Sequence, residues 1–134
     1  MTDNKKQPGP KGFILVDLVD RGNIVEIPLT SNKAWLTLFY ALPEELVSKA
    51  KAYSKIMNNI NYQPAKITAV AFGLALELPW ELFTELVSSA GYAMTRTSKF
   101  DTVIEFFVKH EKYSIEEVNS VLNELDPELP LIGL

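Results

Sequence analysis

The sequence predicts a mainly α protein, a compact bundle of about six helices that follows an N-terminal β-hairpin. Apolar residues recur at helical spacing between residues 31 and 125, and capping residues and prolines separate these stretches. Residues 12–30 instead carry β-branched residues on both sides of a turn sequence. A chain of 134 residues with 47% hydrophobic content can bury one core. We therefore expect a single domain over 12–134, with the helical, helix-turn-helix-like bundle over 31–134.

The N-terminal part divides into a tail and a hairpin. Residues 1–11 are polar and contain two prolines, which predicts a disordered tail. In 12–30, the apolar runs 13–19 and 24–29 flank the turn sequence DRGN. A two-stranded hairpin is marginally stable in water, so its apolar side chains need cover from the helices or from a second chain. We expect a homodimer, with its interface formed by Phe13, Leu15, Ile24 and Ile27.

The first two helices are predicted from their starting residues. Ser31 suits the N-cap of a helix that ends near residue 41. Pro43 suits the first position of the next helix, which extends to about Asn59. The remaining helices are predicted over about 65–78, 79–90, 98–110 and 114–125.

Particular residues define the later helices. Gly73 interrupts the best apolar stripe of the chain and predicts close packing of a neighbouring helix. Gly91 suits a left-handed C-cap. Ser98 is a predicted N-cap, and Ser114 with Glu117 forms a predicted capping box.

The residue types that catalysis requires are scarce. The chain has no cysteine and one histidine, His110, whose position at a helix end suits an interaction with the helix dipole. Glu77, Glu81 and Glu85 recur every four residues, which fits a solvated helix face better than a metal site. We expect no catalytic residues, no metal and no cofactor. The lack of a long apolar run predicts no membrane association and a cytoplasmic location.

Positive charge is concentrated in one part of the sequence. No acidic residue stands between Glu45 and Glu77, and the lysines of this segment are Lys49, Lys51, Lys55 and Lys66. The segment therefore carries +4, which leaves −8 for the rest of a chain whose net charge is −4. Such a segment is either a solvated helix face or a surface that contacts phosphates.

The second interpretation assigns a nucleic-acid-binding face to a helix from about Ser48 to Asn59. The candidate contacts on and near this face are Ser48, Lys51, Ser54, Lys55, Asn58, Asn59 and Lys66. Lysine contacts phosphates, and asparagine can pair with adenine in the major groove. Asparagine at a helix end is equally typical of a turn, so this alternative stays open.

Four segments carry a resemblance to a known family. They are YSKIMNNINYQPAK, AVAFGLALEL, LVSSAGYAMTRTSKFD and VIEFFVKHEKYSIEEVNSVLNEL. From about Leu46 to Gly133 the chain resembles the Cro/Xre-like helical domain that is appended to macro domains in many Gram-positive bacterial proteins. The resemblance implies a compact helical bundle in which Lys51, Ser54, Lys55, Asn58 and Asn59 lie where a recognition helix and its following loop would be; we call the helix from about Ser48 to Asn59 the SKIM helix. It implies a non-catalytic, DNA-binding transcriptional regulator in a bacterial cell or a phage-infected host.

Two departures from the family favour a different function. Met57 stands where the family usually has a basic residue, and the segment before the SKIM helix is short, which leaves open whether the helix-turn-helix is complete. The alternative is a protein-binding module, such as a phage-encoded, anti-CRISPR-like inhibitor of a host defence complex. Such a protein would use the acidic helices that follow Glu77, and it would not bind nucleic acid.

Overall fold

The computed structural model describes residues 12–14, 26–28, 32–49 and 52–134. Seven helices lie within these residues: α1 (Asn32–Tyr40), α2 (Glu44–Lys49), α3 (Ala52–Met57), α4 (Lys66–Ala75), α5 (Trp80–Ser89), α6 (Lys99–Lys109) and α7 (Ile115–Leu125). The prediction of a mainly helical fold is confirmed. The helix predicted to begin at Pro43 corresponds to α2 and α3, and residues 50–51 between them lie outside the described part.

Two short strands precede the helices. β1 (Gly12–Ile14) pairs with β2 (Glu26–Pro28) in antiparallel register, with Phe13 opposite Ile27. The residues that would complete the predicted hairpin, 15–25 and 29–30, lie outside the described part of the chain, as does the predicted tail over 1–11. The hairpin and its proposed dimer interface therefore stay predictions.

The starts of α6 and α7 follow the predicted caps. The Ser98 hydroxyl accepts a hydrogen bond from the backbone N–H of Asp101, and the Ser114 hydroxyl accepts one from the backbone N–H of Glu117. Each bond satisfies one of the backbone donors that a helix leaves unpaired in its first turn. Both predicted N-caps are confirmed.

Three helices end in the same left-handed turn. Gly91 after α5 has φ 101°, which confirms the predicted C-cap, and Glu77 after α4 and Glu111 after α6 both have φ 56°. In each turn the N–H group of the left-handed residue and that of the residue after it donate to carbonyls of the last helical turn. Because Glu77 turns the chain, α4 ends at Ala75, three residues before the predicted end of that helix.

One hydrophobic core joins the helices. Trp35 of α1 is fully buried and its ring lies 5.3 Å from that of Phe72 of α4, measured between centroids. Tyr62, in the segment before α4, contacts the same indole edge to face at 6.3 Å. The other large side chains that are fully buried are Phe39, Leu38, Ile56, Leu74, Leu78, Phe83 and Leu86. The segment between α3 and α4 is therefore held to the core by its own aromatic side chain.

Gly73 allows α4 and α5 to pack closely, as its position in the apolar stripe predicted. A β-carbon built at Gly73 would stand 2.5 Å from a ring carbon of Phe83, which is itself fully buried. The ring cannot move freely, since it is stacked on Trp80 at 5.8 Å between centroids.

The Gly73→Ala substitution is expected to destabilise the protein. Overpacking a core costs about 1–3 kcal/mol, which exceeds the gain of up to about 1 kcal/mol from replacing a helical glycine by alanine. Gly133→Ala is the matched control, since nothing lies within 4 Å of the added carbon. Urea unfolding should show a lower free energy of unfolding for Gly73→Ala and an unchanged one for Gly133→Ala. Equal stability of the two variants would contradict the close contact.

Candidate nucleic-acid interface

The α3 helix presents most of its side chains to solvent. Ile56 is fully buried and fixes which side of the helix faces the core. We define the α3 face as the exposed residues of α3 and the following turn together with the adjacent tyrosine of α1: Tyr40, Tyr53, Ser54, Lys55, Met57, Asn58, Asn59 and Ile60. Four of the predicted contacts thus lie together on one exposed surface. The side chain of Ser48 and the whole of Lys51 lie outside the described part of the chain.

The two asparagines after α3 have different roles. The side-chain oxygen of Asn59 accepts a hydrogen bond from the backbone N–H of Asn61 at 3.1 Å, and its carbonyl accepts one from Tyr62. Asn59 is therefore a turn former, the alternative that the sequence left open. The side chain of Asn58 is exposed and forms no hydrogen bond with other described residues, so its amide remains able to contact a ligand.

Two tyrosines give the α3 face an aromatic part. Tyr40 of α1 donates a hydrogen bond to the Tyr53 hydroxyl at 3.3 Å, and the ring centroids are 6.3 Å apart. Both rings also contact Phe39, which is buried beneath them. The hydrogen bond to Tyr53 and partial desolvation raise the pKa of Tyr40 above its ordinary value, so its phenol is neutral at physiological pH.

The aromatic part was not foreseen from the sequence. Tyr53 is 39% exposed, because Phe39 occupies the space beneath its ring. Tyr40 is 62% exposed. Its position directly after the buried Phe39 places it about 100° around the helix, which is the feature that could have indicated its exposure.

Lys66 does not lie free on this surface. Its ammonium donates to Oδ2 of Asp101 at 2.8 Å and to the carbonyl of Ala93 at 2.7 Å. Asp101 is 1% exposed, and the same oxygen accepts the backbone N–H of Thr95 at 2.8 Å. The positive charge of Lys66 is therefore matched by a buried carboxylate, which gives this lysine a structural role.

Further hydrogen bonds join the same two segments. The side-chain N–H of Gln63 donates to the carbonyl of Ala90 at 2.8 Å, and the Tyr92 hydroxyl donates to the carbonyl of Pro64 at 2.8 Å. The chain between α3 and α4 is thus bonded to the loop between α5 and α6. This arrangement fixes the position at which the turn after α3 enters α4.

The acidic residues lie on another surface. α4 and α5 are joined by the four residues 76–79, the linker length of a helix-turn-helix. Glu77 in this linker and Glu81 and Glu85 on α5 are all exposed. Carboxylates on the exposed side of the second helix repel phosphates, so α5 does not suit the role of a DNA-recognition helix.

The single histidine of the chain lies at a helix end, as expected. His110 is the C-cap of α6, and its Nδ1 lies 2.8 Å from the carbonyl oxygen of Phe106. Nearby, the Glu105 carboxylate lies 2.7 Å from the Lys109 ammonium and 3.5 Å from the Arg96 guanidinium. The hydrogen bond from Lys109, with the charges of Lys109 and Arg96, lowers the pKa of Glu105.

The described residues lack two further features. They contain no group of three or more His, Cys, Asp or Glu side chains placed to hold a metal ion. Among the described helices, none combines the length and the apolar character that crossing a bilayer requires.

Comparison with protein-family models, with curated protein sequences and with solved structures found no match for this chain. The resemblance to the Cro/Xre-like domain therefore stays a prediction that rests on the quoted segments.

Replacing Asp101 by Asn is expected to destabilise the fold by about 3 kcal/mol, because it leaves the Lys66 ammonium without the carboxylate that compensates its partial burial. The matched control is Lys99→Ala, which removes an exposed pair with Asp126 at 3.5 Å and should change stability by at most about 0.5 kcal/mol. Urea unfolding followed by circular dichroism measures both. If Asp101→Asn lowers the free energy of unfolding no more than Lys99→Ala does, the buried ion pair does not stabilise the fold.

Proposed function

We propose that this chain is a non-catalytic nucleic-acid-binding protein that uses the α3 face. The observation that supports this most strongly is the composition of that face. Exposed lysine, serine and asparagine side chains and Tyr53 belong to a stretch of sequence that has no acidic residue from 46 to 76, and Tyr40 lies beside Tyr53. These are the side chains that contact phosphates, sugars and bases in nucleic-acid complexes.

The charge distribution supports this choice of surface. Lys55 is exposed on α3, and Lys49 and Lys51 stand close to it in the sequence. The nearest preceding acidic residues are Glu44 and Glu45, at the start of α2. With −8 on the rest of the chain, a polyanion approaching from other directions would be repelled. The α3 face is therefore the surface on which phosphates are best accommodated.

Asn58 is the residue best placed for contacts that depend on base identity. Its exposed amide can donate and accept hydrogen bonds, whereas the amide of Asn59 is used in the turn. Lys66, which the sequence also suggested, contributes by anchoring the segment that follows the face. The proposed contacts are thus Lys51, Ser54, Lys55 and Asn58, with Ser48 in the preceding helical segment.

Replacing Lys51 and Lys55 together by Ala is expected to weaken nucleic-acid binding regardless of sequence. Two fewer phosphate contacts should reduce the slope of log affinity against log salt by about two. Fluorescence anisotropy with labelled oligonucleotides at several salt concentrations measures the affinity and this slope.

The matched control replaces Lys99 and Lys112, two exposed lysines elsewhere, which changes the net charge equally. An equal loss of affinity in both double variants would show that binding depends only on the net charge of the protein. Affinity of the unmodified protein weaker than about 0.1 mM at low salt for both duplex and single strands would reject the proposal, since even non-specific binders reach that level.

A second candidate is a protein-binding module that uses the acidic surface. Glu77, Glu81 and Glu85 are exposed, and none forms an ion pair with another described residue. This arrangement fits docking onto a basic, nucleic-acid-binding surface of another protein, as a phage-encoded inhibitor of a defence complex would do. If the anisotropy measurement detects no binding to nucleic acid, this candidate is favoured.

The homodimer also belongs to the proposal. The described sheet has two strands, β1 and β2, and a second hairpin would pair with it and cover Phe13, Leu15, Ile24 and Ile27, as the sequence predicts. A dimer would place two α3 faces in one molecule.

A further inference from the structure

We propose that the α3 face selects single-stranded nucleic acid, with the rings of Tyr40 and Tyr53 serving as stacking surfaces for unpaired bases. This inference rests on the proposed function, and it specifies the class of nucleic acid.

The two tyrosines are exposed but held in place. Tyr40 is 62% exposed and Tyr53 39% exposed, although both rings contact the buried ring of Phe39, at centroid distances of 5.7 Å and 5.5 Å. Their hydroxyl groups are joined by a hydrogen bond of 3.3 Å. A ring that is supported from below and linked to its neighbour needs little ordering when a base stacks on it.

Polar and basic groups are exposed on the same helix and in the turn after it. Lys55 lies two residues after Tyr53 and Asn58 five residues after it, so both project from a different side of the helix than the Tyr53 ring does. Exposed apolar side chains continue the surface one turn further, at Met57 and Ile60, which are 46% and 75% exposed. Exposed aromatic rings and a lysine on one short helix that has no carboxylate are the combination by which proteins hold single strands.

A duplex fits this surface poorly. In a duplex the faces of the bases are stacked on one another, so the phenol rings could contact only the backbone or the groove edges. The helix α5 carries Glu81 and Glu85 on its exposed side, so it does not suit insertion into a major groove.

The test compares three labelled ligands of one mixed sequence, each about 15 nucleotides long: single-stranded DNA, single-stranded RNA and duplex DNA. Fluorescence anisotropy is measured with the full chain at low salt. Affinity at least about tenfold higher for either single strand than for the duplex is expected, and the two single-stranded arms distinguish DNA from RNA.

Ring variants identify the stacking surface. Tyr40→Ala and Tyr53→Ala should each weaken single-strand binding by about 5- to 100-fold, whereas Tyr40→Phe and Tyr53→Phe should bind nearly as well as the unmodified chain. Phe106→Ala is the control, because Phe106 is an exposed aromatic residue on α6, with 54% of its surface accessible. Circular dichroism of every variant establishes that the fold is kept, and the phenylalanine variants keep the test valid if an alanine variant unfolds.

The possible outcomes separate this inference from the proposed function. Duplex binding as tight as single-strand binding, or tyrosine variants that bind single strands like the Phe106→Ala control, would overturn the inference and leave nucleic-acid binding in place. Binding to none of the three ligands would overturn both, and it would assign the exposed tyrosines to a protein interface instead.

Discussion

The ion pair between Lys66 and Asp101 is the constraint on which the arrangement of the helices depends. It joins the first residue of α4 to the first turn of α6, and the same carboxylate oxygen holds the backbone of Thr95 in the loop between α5 and α6. The other oxygen of the Asp101 carboxylate, Oδ1, is buried and accepts no hydrogen bond from the described residues. The burial of Asp101 is therefore compensated mainly through one oxygen, with help from the N-terminal dipole of α6.

This constraint also determines where the α3 face lies. The chain that leaves α3 must enter α4 at Lys66, and it is held on the way by the bonds of Gln63 and Tyr92 and by the packing of Tyr62 on Trp35. The exposed residues of α3 thus stand on a segment that is fixed at its C-terminal end. A fixed surface pays less entropy on binding than a flexible one, which favours its use as a contact surface.

Local features of the fold could be predicted from the sequence, and features that depend on distant contacts could not. Gly91 as a C-cap and Gly73 as a close-packing site follow from local chemistry, because each reflects one backbone angle or one missing side chain. The ion pair of Lys66 with Asp101 could not be foreseen, since the two residues lie 35 positions apart in the sequence. For Asn59 the sequence allowed both a turn and a contact with a ligand. Tyr40 lies before the segment in which the lysines are concentrated, so the charge pattern did not indicate it.

The α3 face is the surface that we propose binds nucleic acid, and nuclear magnetic resonance can test this directly. A 15N-labelled sample is titrated with a single-stranded oligonucleotide, and the backbone amide shifts are followed by residue. The largest changes in amide shift are expected over residues 53–61 and at Tyr40, with little change on α5 or α6. Changes centred on Glu81 and Glu85, or on Phe106 and His110, would contradict this proposal.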